Sequence, residues 1–368
     1  MKPVGIYIHV PFCRYKCPYC DFYSVTAKDE LLDRFAAETI RRIRELSGEK
    51  ISADTVYFGG GTPSLLGGGR IAAIMDALRR HVDLADNAEI TVEANPTIDL
   101  GSFLEGCASS GVNRLSLGMQ SAVKSELSAI GRRHTSDDVL RAMEQAHSVG
   151  IHNISLDLML GIPMQTPESL LHSLRFIEAS APSHLSAYML KIEENTPFYR
   201  IQYALKLPDE DTLTEMYTRT FAFLEEAGYA QYEISNAARP GCESRHNLKY
   251  WRCEEYVGIG PSAHGFLHGR RYYYDRSLEQ YLSGAQPVDD GEGGGIEEYV
   301  MLRLRLSEGL NHEDMRARFG ADIPRAMLER AASPVMTPYC ICDDSGIRLT
   351  RRGMLISNAI ICELMEHL

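Results

Sequence analysis

The sequence predicts an α/β fold, an incomplete barrel of parallel β/α units followed by a smaller, mainly helical, winged-helix-like module. Three observations carry this expectation. Short β-branched runs alternate with helix-length amphipathic segments through the first half of the chain, the pattern of a parallel sheet with crossover helices. Six such strand–helix units can be traced. The C-terminal stretch then loses the alternation and reads as helices around one small hairpin. Periodicity alone does not separate a partial (β/α)6 barrel from a doubly wound open sheet. In both, the reactive face lies at the carboxyl ends of the strands.

The first strand is 4–10, Val-Gly-Ile-Tyr-Ile-His-Val. Further strands are expected at 54–59, 89–94, 113–118, 153–160 and 184–190. Helices fit at 29–46, 70–81, 99–110, 136–149 and 167–180, with 209–227 after the last strand. Ser136 before Asp137 and Asp138, and Thr166 before Pro167, are placed as N-caps. Gly111 and Gly150 stand where helices end in a left-handed turn. A glycine-rich turn, Val257 to Gly265, is expected to close the barrel side, and Asp289 to Gly295 reads as a linker or exposed loop. Helices 296–307, 311–319, 321–330 and 351–367 flank a short apolar segment that starts at Gly346. The expected units are a barrel at 1–235, a closing segment at 236–290 and the helical domain at 291–368.

The 368 residues are 44% hydrophobic and 24% charged, ordinary for a globular chain with a substantial core. A formal net charge of −12 disfavours nucleic acid and anionic membranes as partners. Met1 to Val4 lacks the apolar stretch of a signal peptide, and no later run approaches a membrane span. Nine cysteines, an odd number with three bunched, suit a reducing compartment and a metal centre better than a disulfide framework. A cytoplasmic protein is expected.

The bunched cysteines lie in Cys13-Arg14-Tyr15-Lys16-Cys17-Pro18-Tyr19-Cys20, a C-x3-C-x2-C loop directly after the first strand. Thiolates are the ligands of iron–sulfur clusters. A cubane has four irons, so three cysteines leave one corner open, and an open coordination position is where a metal centre does chemistry. A structural zinc site would need a fourth ligand. No second pair has the spacing: Cys340 and Cys342 are one residue apart, Cys107, Cys242, Cys253 and Cys362 stand alone, and His9 is the one nearby alternative. A disulfide is disfavoured in a reducing compartment.

The other unusual residues fall at strand ends. Gly59-Gly60-Gly61-Thr62-Pro63 follows the second strand; such glycines let backbone N–H and C=O groups approach a ligand, and a tight turn explains them as well. Glu93 ends the third strand in Thr91-Val92-Glu93-Ala94-Asn95-Pro96. A carboxylate there is costly unless paired, so it suits a hydroxyl or ammonium partner. The fourth strand ends in Gly118-Met119-Gln120-Ser121, with Arg132 beyond it. Asp157 interrupts the apolar fifth strand, where a buried structural carboxylate and a ligand-binding one are equally good readings.

Together, YIHVPFC with C-x3-C-x2-C, FGGGTP, VEANP, GMQS, DLMLGIP and the TPE helix start resemble the coproporphyrinogen III oxidase-like branch of the radical S-adenosylmethionine (SAM) superfamily. The likeness runs from Tyr7 to about Gly260 and continues more weakly beyond. It implies a partial (β/α)6 radical SAM barrel and a [4Fe-4S] cluster on Cys13, Cys17 and Cys20. It further implies SAM chelating the open iron, and an electron donor such as a flavodoxin or ferredoxin. The implied SAM pocket is lined by Tyr7, Tyr19, Gly60, Gly61, Thr62, Glu93, Gln120, Arg132 and Asp157, with Tyr19 on the adenine side.

Within that branch the decarboxylating oxidase carries a fourth cysteine two residues beyond the third, where this chain has Phe22, and an extension before the first cysteine, where this chain has twelve residues. His246-Asn247-Leu248-Lys249-Tyr250-Trp251 instead resembles the HNxxYW motif of the HemW-type haem chaperones. That resemblance implies haem held near His246 and delivered to apo-haem proteins. Lys249 and Arg245 would pair with propionates, and His264 is a second candidate ligand. On chemistry alone, a loop histidine beside two packing aromatics is the better reading of His246, and the full six-residue match to the motif reverses that weighting. The alternative function is oxygen-independent oxidation of coproporphyrinogen III to protoporphyrinogen IX. A winged-helix-like module often meets DNA, but the acidic balance points to protein contact or a lid.

Overall fold

All six expected strands form and run parallel. The computed structural model describes residues 2–26, 28–96 and 100–368. β1 (Val4–Val10), β2 (Ser52–Gly60), β3 (Asp83–Ala94), β4 (Arg114–Gln120), β5 (Asn153–Leu160) and β6 (His184–Met189) pair in chain order. Helices Asp29–Glu45, Gly68–His81, Gly101–Ser109, Ser136–Ser148, Pro167–Ser180 and Glu210–Glu226 connect or follow them. Residue 99, where one helix was expected to begin, lies outside the described residues. Thr135 rather than Ser136 is the N-cap of its helix, bonded reciprocally with Asp138; Thr166 caps as expected, with Ser169.

The strands alternate in a way that positions the site. Tyr57 lies in register with Thr91, Thr91 with Arg114, Glu93 with Ser116, Ser116 with Ser155, and Asp157 with Ser186. Residues in register share a side of a sheet, so polar groups from five strands meet on the concave side. The intervening residues, such as Val56, Phe58, Val92, Leu115, Leu117, Ile154 and Leu156, are fully buried in the main core. The inside of this partial barrel is therefore a polar chamber, and the apolar core lies outside it.

The sheet extends past both ends of the six-strand unit. Beyond β6 come β7 (Ala230–Gln231) and β8 (Asn236–Ala238), with β8 antiparallel to β6. Beyond β1 come β9 (Tyr256–Ile259), β10 (His264–Leu267), β11 (Arg270–Tyr273) and β12 (Val288–Glu292). The order is β12-β11-β10-β9-β1-β2-β3-β4-β5-β6-β8-β7, with two open ends. The segment expected to close the barrel thus widens the sheet. Much of the expected linker at 289–295 is the exposed edge strand β12, whose acidic residues suit an edge that should not pair further.

The C-terminal part matches the winged-helix-like expectation. Helices Ile296–Arg303, His312–Phe319 and Arg325–Ala331 pack with a three-stranded sheet formed by Leu310–Asn311, Cys340–Asp343 and Gly346–Leu349. The last expected helix is broken at Ile356 into Arg351–Leu355 and Ser357–Met365. Val300, Leu304, Met315, Met327 and Leu364 form its core, into which Cys253 and Phe266 also pack. No helix among the described residues is long and apolar enough to cross a membrane.

Candidate functional site

A cavity of about 550 Å³ opens at the carboxyl ends of β1–β6. Cys13, Cys17, Cys20, Tyr19, Gly60, Gly61, Thr62, Glu93, Gln120, Arg132 and Asp157 all line it. Of the residues expected at the site, Tyr7 and His246 do not. None of the three clustered cysteines is in a disulfide, and each is half-buried. Among the described residues, no three His, Cys, Asp or Glu side chains are gathered closely enough to hold one ion.

A chain of hydrogen bonds ties the cysteine loop to the strand ends. Cys13 Sγ lies 3.5 Å from Thr62 Oγ1, which accepts from Asn95 Nδ2 at 3.1 Å. Asn95 Oδ1 in turn accepts from Arg132 Nη1, and Arg132 Nε donates to the Tyr19 hydroxyl at 3.1 Å. Tyr19 brings the chain back to the cysteine loop, so a ring of bonds surrounds the mouth. Gly118 leaves room for it: a Cβ there would stand 3.1 Å from Asn95 Oδ1 and 3.3 Å from Arg132 Nη2. Gln120 holds a left-handed backbone at φ 65°, which is unusual for a non-glycine residue, and accepts from the Tyr188 hydroxyl at 2.8 Å.

Two carboxylates stand deeper. Glu93 accepts from the Tyr57 hydroxyl at 2.8 Å and from the Gly60 N–H at 3.2 Å. Burial raises its pKa, and these bonds and the charge of Arg114 oppose the shift. Asp157 accepts from Ser116 at 3.3 Å and is pushed up to about 7, first by burial and then by Glu93, with Arg132 and Arg114 opposing. Burial also raises the Cys20 thiol, as do its neighbours Cys17 and Cys13. Arg114 is buried at the cavity wall, and its Nε has no hydrogen-bond partner among the described residues. An unspent donor on a buried charge fits a guest that brings an acceptor of its own.

Of the two readings of the glycine run, its backbone bonds favour the tight turn. Its N–H groups are already spent: Gly60 on Glu93, Gly61 on the Val10 carbonyl, and Thr62 on the Phe12 carbonyl. Glycine is needed at Gly61 for packing, since a Cβ would come within 2.6 Å of the Phe12 oxygen. The run docks the second strand's end on the cysteine loop.

Tyr7 and His246 lie outside this cavity. The Tyr7 hydroxyl bonds to His9 Nδ1 at 3.0 Å, and the side chain lines a separate, smaller cavity. His246 lies in the short helix Arg245–Trp251 with 1% of its surface exposed. Its Nδ1 pairs with Thr55 Oγ1 and its Nε2 with the Tyr250 hydroxyl, both at 2.8 Å, while its ring stacks on Tyr57. Burial, with Lys249 and Arg114, pushes its pKa down to about 3, so the ring is neutral. Both nitrogens are thus engaged inside the protein. The proposed propionate partners are likewise occupied, as Lys249 and Arg245 both pair with Asp54. Glu89 explains the rest of the arrangement. It accepts from the backbone N–H groups of Arg245 and His246, each at 3.0 Å, and so docks the helix N-terminus on β3.

Asn95, Tyr57 and Arg114 are site residues that the reading of the sequence did not single out. Arg114 carried a signal, because a charged residue opens a strand that is buried at every position.

Fold and site together define a protein of the radical SAM class. The Radical SAM superfamily model matches residues 7–177, and the HemN C-terminal domain model matches residues 296–356. The chain is 36% identical to the heme chaperone HemW of Mycobacterium tuberculosis (strain H37Rv), over 99% of this chain and 95% of that one. It is 35% identical to HemW of Escherichia coli (strain K12), over 98% of each. Against the mitochondrial radical S-adenosyl methionine domain-containing protein 1 of Bos taurus it is 40% identical, over 99% of this chain and 88% of that one. Among solved structures, coproporphyrinogen III oxidase (HemN) from Escherichia coli superposes with a TM-score of 0.84, covering all of this chain and 91% of that one at 21% identity, which is a likeness of fold. The chain belongs to the HemW heme chaperone family of the radical SAM superfamily.

Proposed function

We propose that this protein is a haem chaperone that holds a [4Fe-4S] cluster on Cys13, Cys17 and Cys20 and SAM in the adjoining cavity, and that it passes haem to apo-haem proteins. The observation that carries the reading is convergence. Three free thiols, two half-buried carboxylates and two guanidiniums, drawn from separate strands and loops, face one cavity. When bound, the cluster would supply an iron with an open position and a one-electron couple. The chain's own residues hold and orient the guest. Glu93 and Asp157 offer acceptors for hydroxyl or ammonium groups, Arg132 and Arg114 offer donors for a carboxylate, and Tyr19 offers a flat wall. A flavodoxin or ferredoxin is the class of donor that would reduce such a cluster.

Phe22 occupies the position where the oxidase-type loop has its fourth cysteine, which favours the chaperone over the decarboxylase. Protein purified without oxygen should be brown, with a cluster EPR signal on reduction that changes shape when SAM is added. It should also bind haem without converting coproporphyrinogen III. A colourless preparation that reconstitution with iron and sulfide cannot darken would overturn the cluster. Catalytic formation of protoporphyrinogen IX would overturn the chaperone assignment.

A further inference from the structure

The chaperone reading leaves open where haem sits, and the motif histidine is not available to hold it. A second cavity of about 350 Å³ lies on the other side of the cysteine loop, between that loop, β1 and the β9–β10 turn. Its walls include Tyr7, Tyr250, Tyr256 and Phe22, with His264 and Arg276 at the rim. We propose that this aromatic cleft is the haem site, that the His264 imidazole is the protein's ligand to the iron, and that Arg276 faces a propionate. The inference rests on the haem-binding reading above and adds the place and the ligand.

The histidines around the cleft decide the assignment. His9 is buried, with Nδ1 bonded to the Tyr7 hydroxyl and Nε2 3.1 Å from the Tyr23 carbonyl oxygen. His246, behind the wall, has both ring nitrogens engaged as well. His264 is exposed, and no described protein group bonds to either of its ring nitrogens; its one ring contact is with Tyr273, centroids 5.6 Å apart. An imidazole with a free nitrogen beside flat apolar walls is what a haem iron and its macrocycle require.

The turn that presents His264 is tightly set. A Cβ on Gly258 would stand 1.8 Å from the His264 carbonyl oxygen, so only glycine lets β10 fold back over β9 here. Ser262 holds a left-handed backbone at φ 69° within the same turn. On the opposite rim Phe22 is 65% exposed, a large apolar side chain with one face toward solvent. Arg276, exposed at the rim, donates to Asp21 from Nη1 at 3.2 Å and from Nη2 to both its backbone carbonyl and its carboxylate, so Nε, which bonds to no described residue, is the donor left for a propionate.

The HNxxYW motif acquires a role in this arrangement. His246 Nε2 bonds to the Tyr250 hydroxyl, and the Tyr250 and Tyr256 rings meet edge to face with centroids 4.5 Å apart. His246 is thus a positioning residue that fixes one wall of the cleft from behind. Asp21 and Phe22 face both cavities, so the loop bearing the cluster thiols is also a wall of the haem site.

The test is titration of the full chain with ferric protoporphyrin IX, read by the Soret band, for wild type, His264→Ala and His246→Ala. His264→Ala should lose the band of imidazole-ligated haem and bind about tenfold or more weakly. Added free imidazole should restore the band position. His246→Ala should keep an imidazole-ligated band. An unchanged band and affinity in His264→Ala would overturn the assignment while leaving the chaperone reading intact. Failure of the wild type to bind haem at all would defeat that reading itself.

Discussion

The two cavities on either side of the cysteine loop spend their polar groups in opposite ways. Around the larger one nearly every polar side chain is tied to a neighbour, from Cys13 through Thr62, Asn95 and Arg132 to Tyr19. The smaller one is walled by tyrosines and phenylalanine and presents a histidine whose ring nitrogens bond to no described residue. The first is a preorganised site, where a fixed network orients a guest of set shape. The second is a shallow cleft that a flat guest can enter and leave. A resident cofactor needs the former and cargo needs the latter.

Replacing Cys13, Cys17 or Cys20 by serine tests that separation most strongly. Each variant should lose the brown colour, the EPR signal and the SAM-dependent change of its shape. Each should keep its Soret band with added haem, because none of the three lines the smaller cavity. Loss of haem binding together with the cluster would merge the two sites into one.

Arg132 anchors the ring of bonds, so its removal should weaken the larger cavity alone. A hydrogen bond from a charged group contributes about 2 kcal/mol, or roughly 30-fold in a dissociation constant. Arg132→Leu should therefore bind SAM about that much more weakly by equilibrium dialysis, with haem affinity unchanged. An effect on haem as large as that on SAM would contradict the comparison.

Most of the larger site was legible in the sequence because its residues end strands, and a parallel sheet sends strand ends to one face. Glu93, Gln120 and Asp157 needed only the correct strand register to converge. Of the smaller cleft only His264 and its glycine-rich turn were legible, for a physical reason. Its walls come from β1, the loop at 21–23, the short helix Arg245–Trp251 and the four-residue strands Tyr256–Ile259 and His264–Leu267, pieces too short and too far apart in the chain to show a pattern. His246 shows the limit of a motif, which fixes residue identity and not surroundings: Thr55 and Tyr250 decide that ring's role, and Thr55 is 191 residues away in the chain. The glycine run was placed correctly, but the partners of its N–H groups were not visible until β1 and the cysteine loop were in position.

The larger cavity also carries a stability cost that depends on pH. Asp157 is pushed up to about 7 when folded, from an ordinary value of 3.8, and outside the cavity Glu233 is raised to about 7 by burial as well. Between the two values the folded state binds more protons than the unfolded one, so stability falls as pH rises through that window. From pH 5 to pH 7 one such group costs about 2 kcal/mol. The melting temperature of the cofactor-free protein should therefore fall over that range. Asp157→Asn should flatten part of the slope, leaving the share due to Glu233. A melting temperature that rises toward pH 7 would show that Asp157 is ionised and paired in the folded state.

The smallest effect distinguishes the two histidines directly. Thr55→Val keeps the shape of the side chain and removes the hydroxyl that meets His246 Nδ1 at 2.8 Å. An orphaned buried nitrogen costs about 1–3 kcal/mol, so chemical denaturation should show a lower midpoint with an unchanged slope. His264→Ala, at an exposed ring that hydrogen-bonds to no described residue, should shift stability by no more than about 0.5 kcal/mol. Haem should respond in reverse, with the Soret band kept in Thr55→Val and lost in His264→Ala. If freeing Nδ1 of His246 instead created a stronger haem band, the buried ring would be a ligand held in reserve. The short helix Arg245–Trp251 would then have to leave its seat on Glu89 to deliver it, and protection of its amides against hydrogen exchange would drop when haem is added.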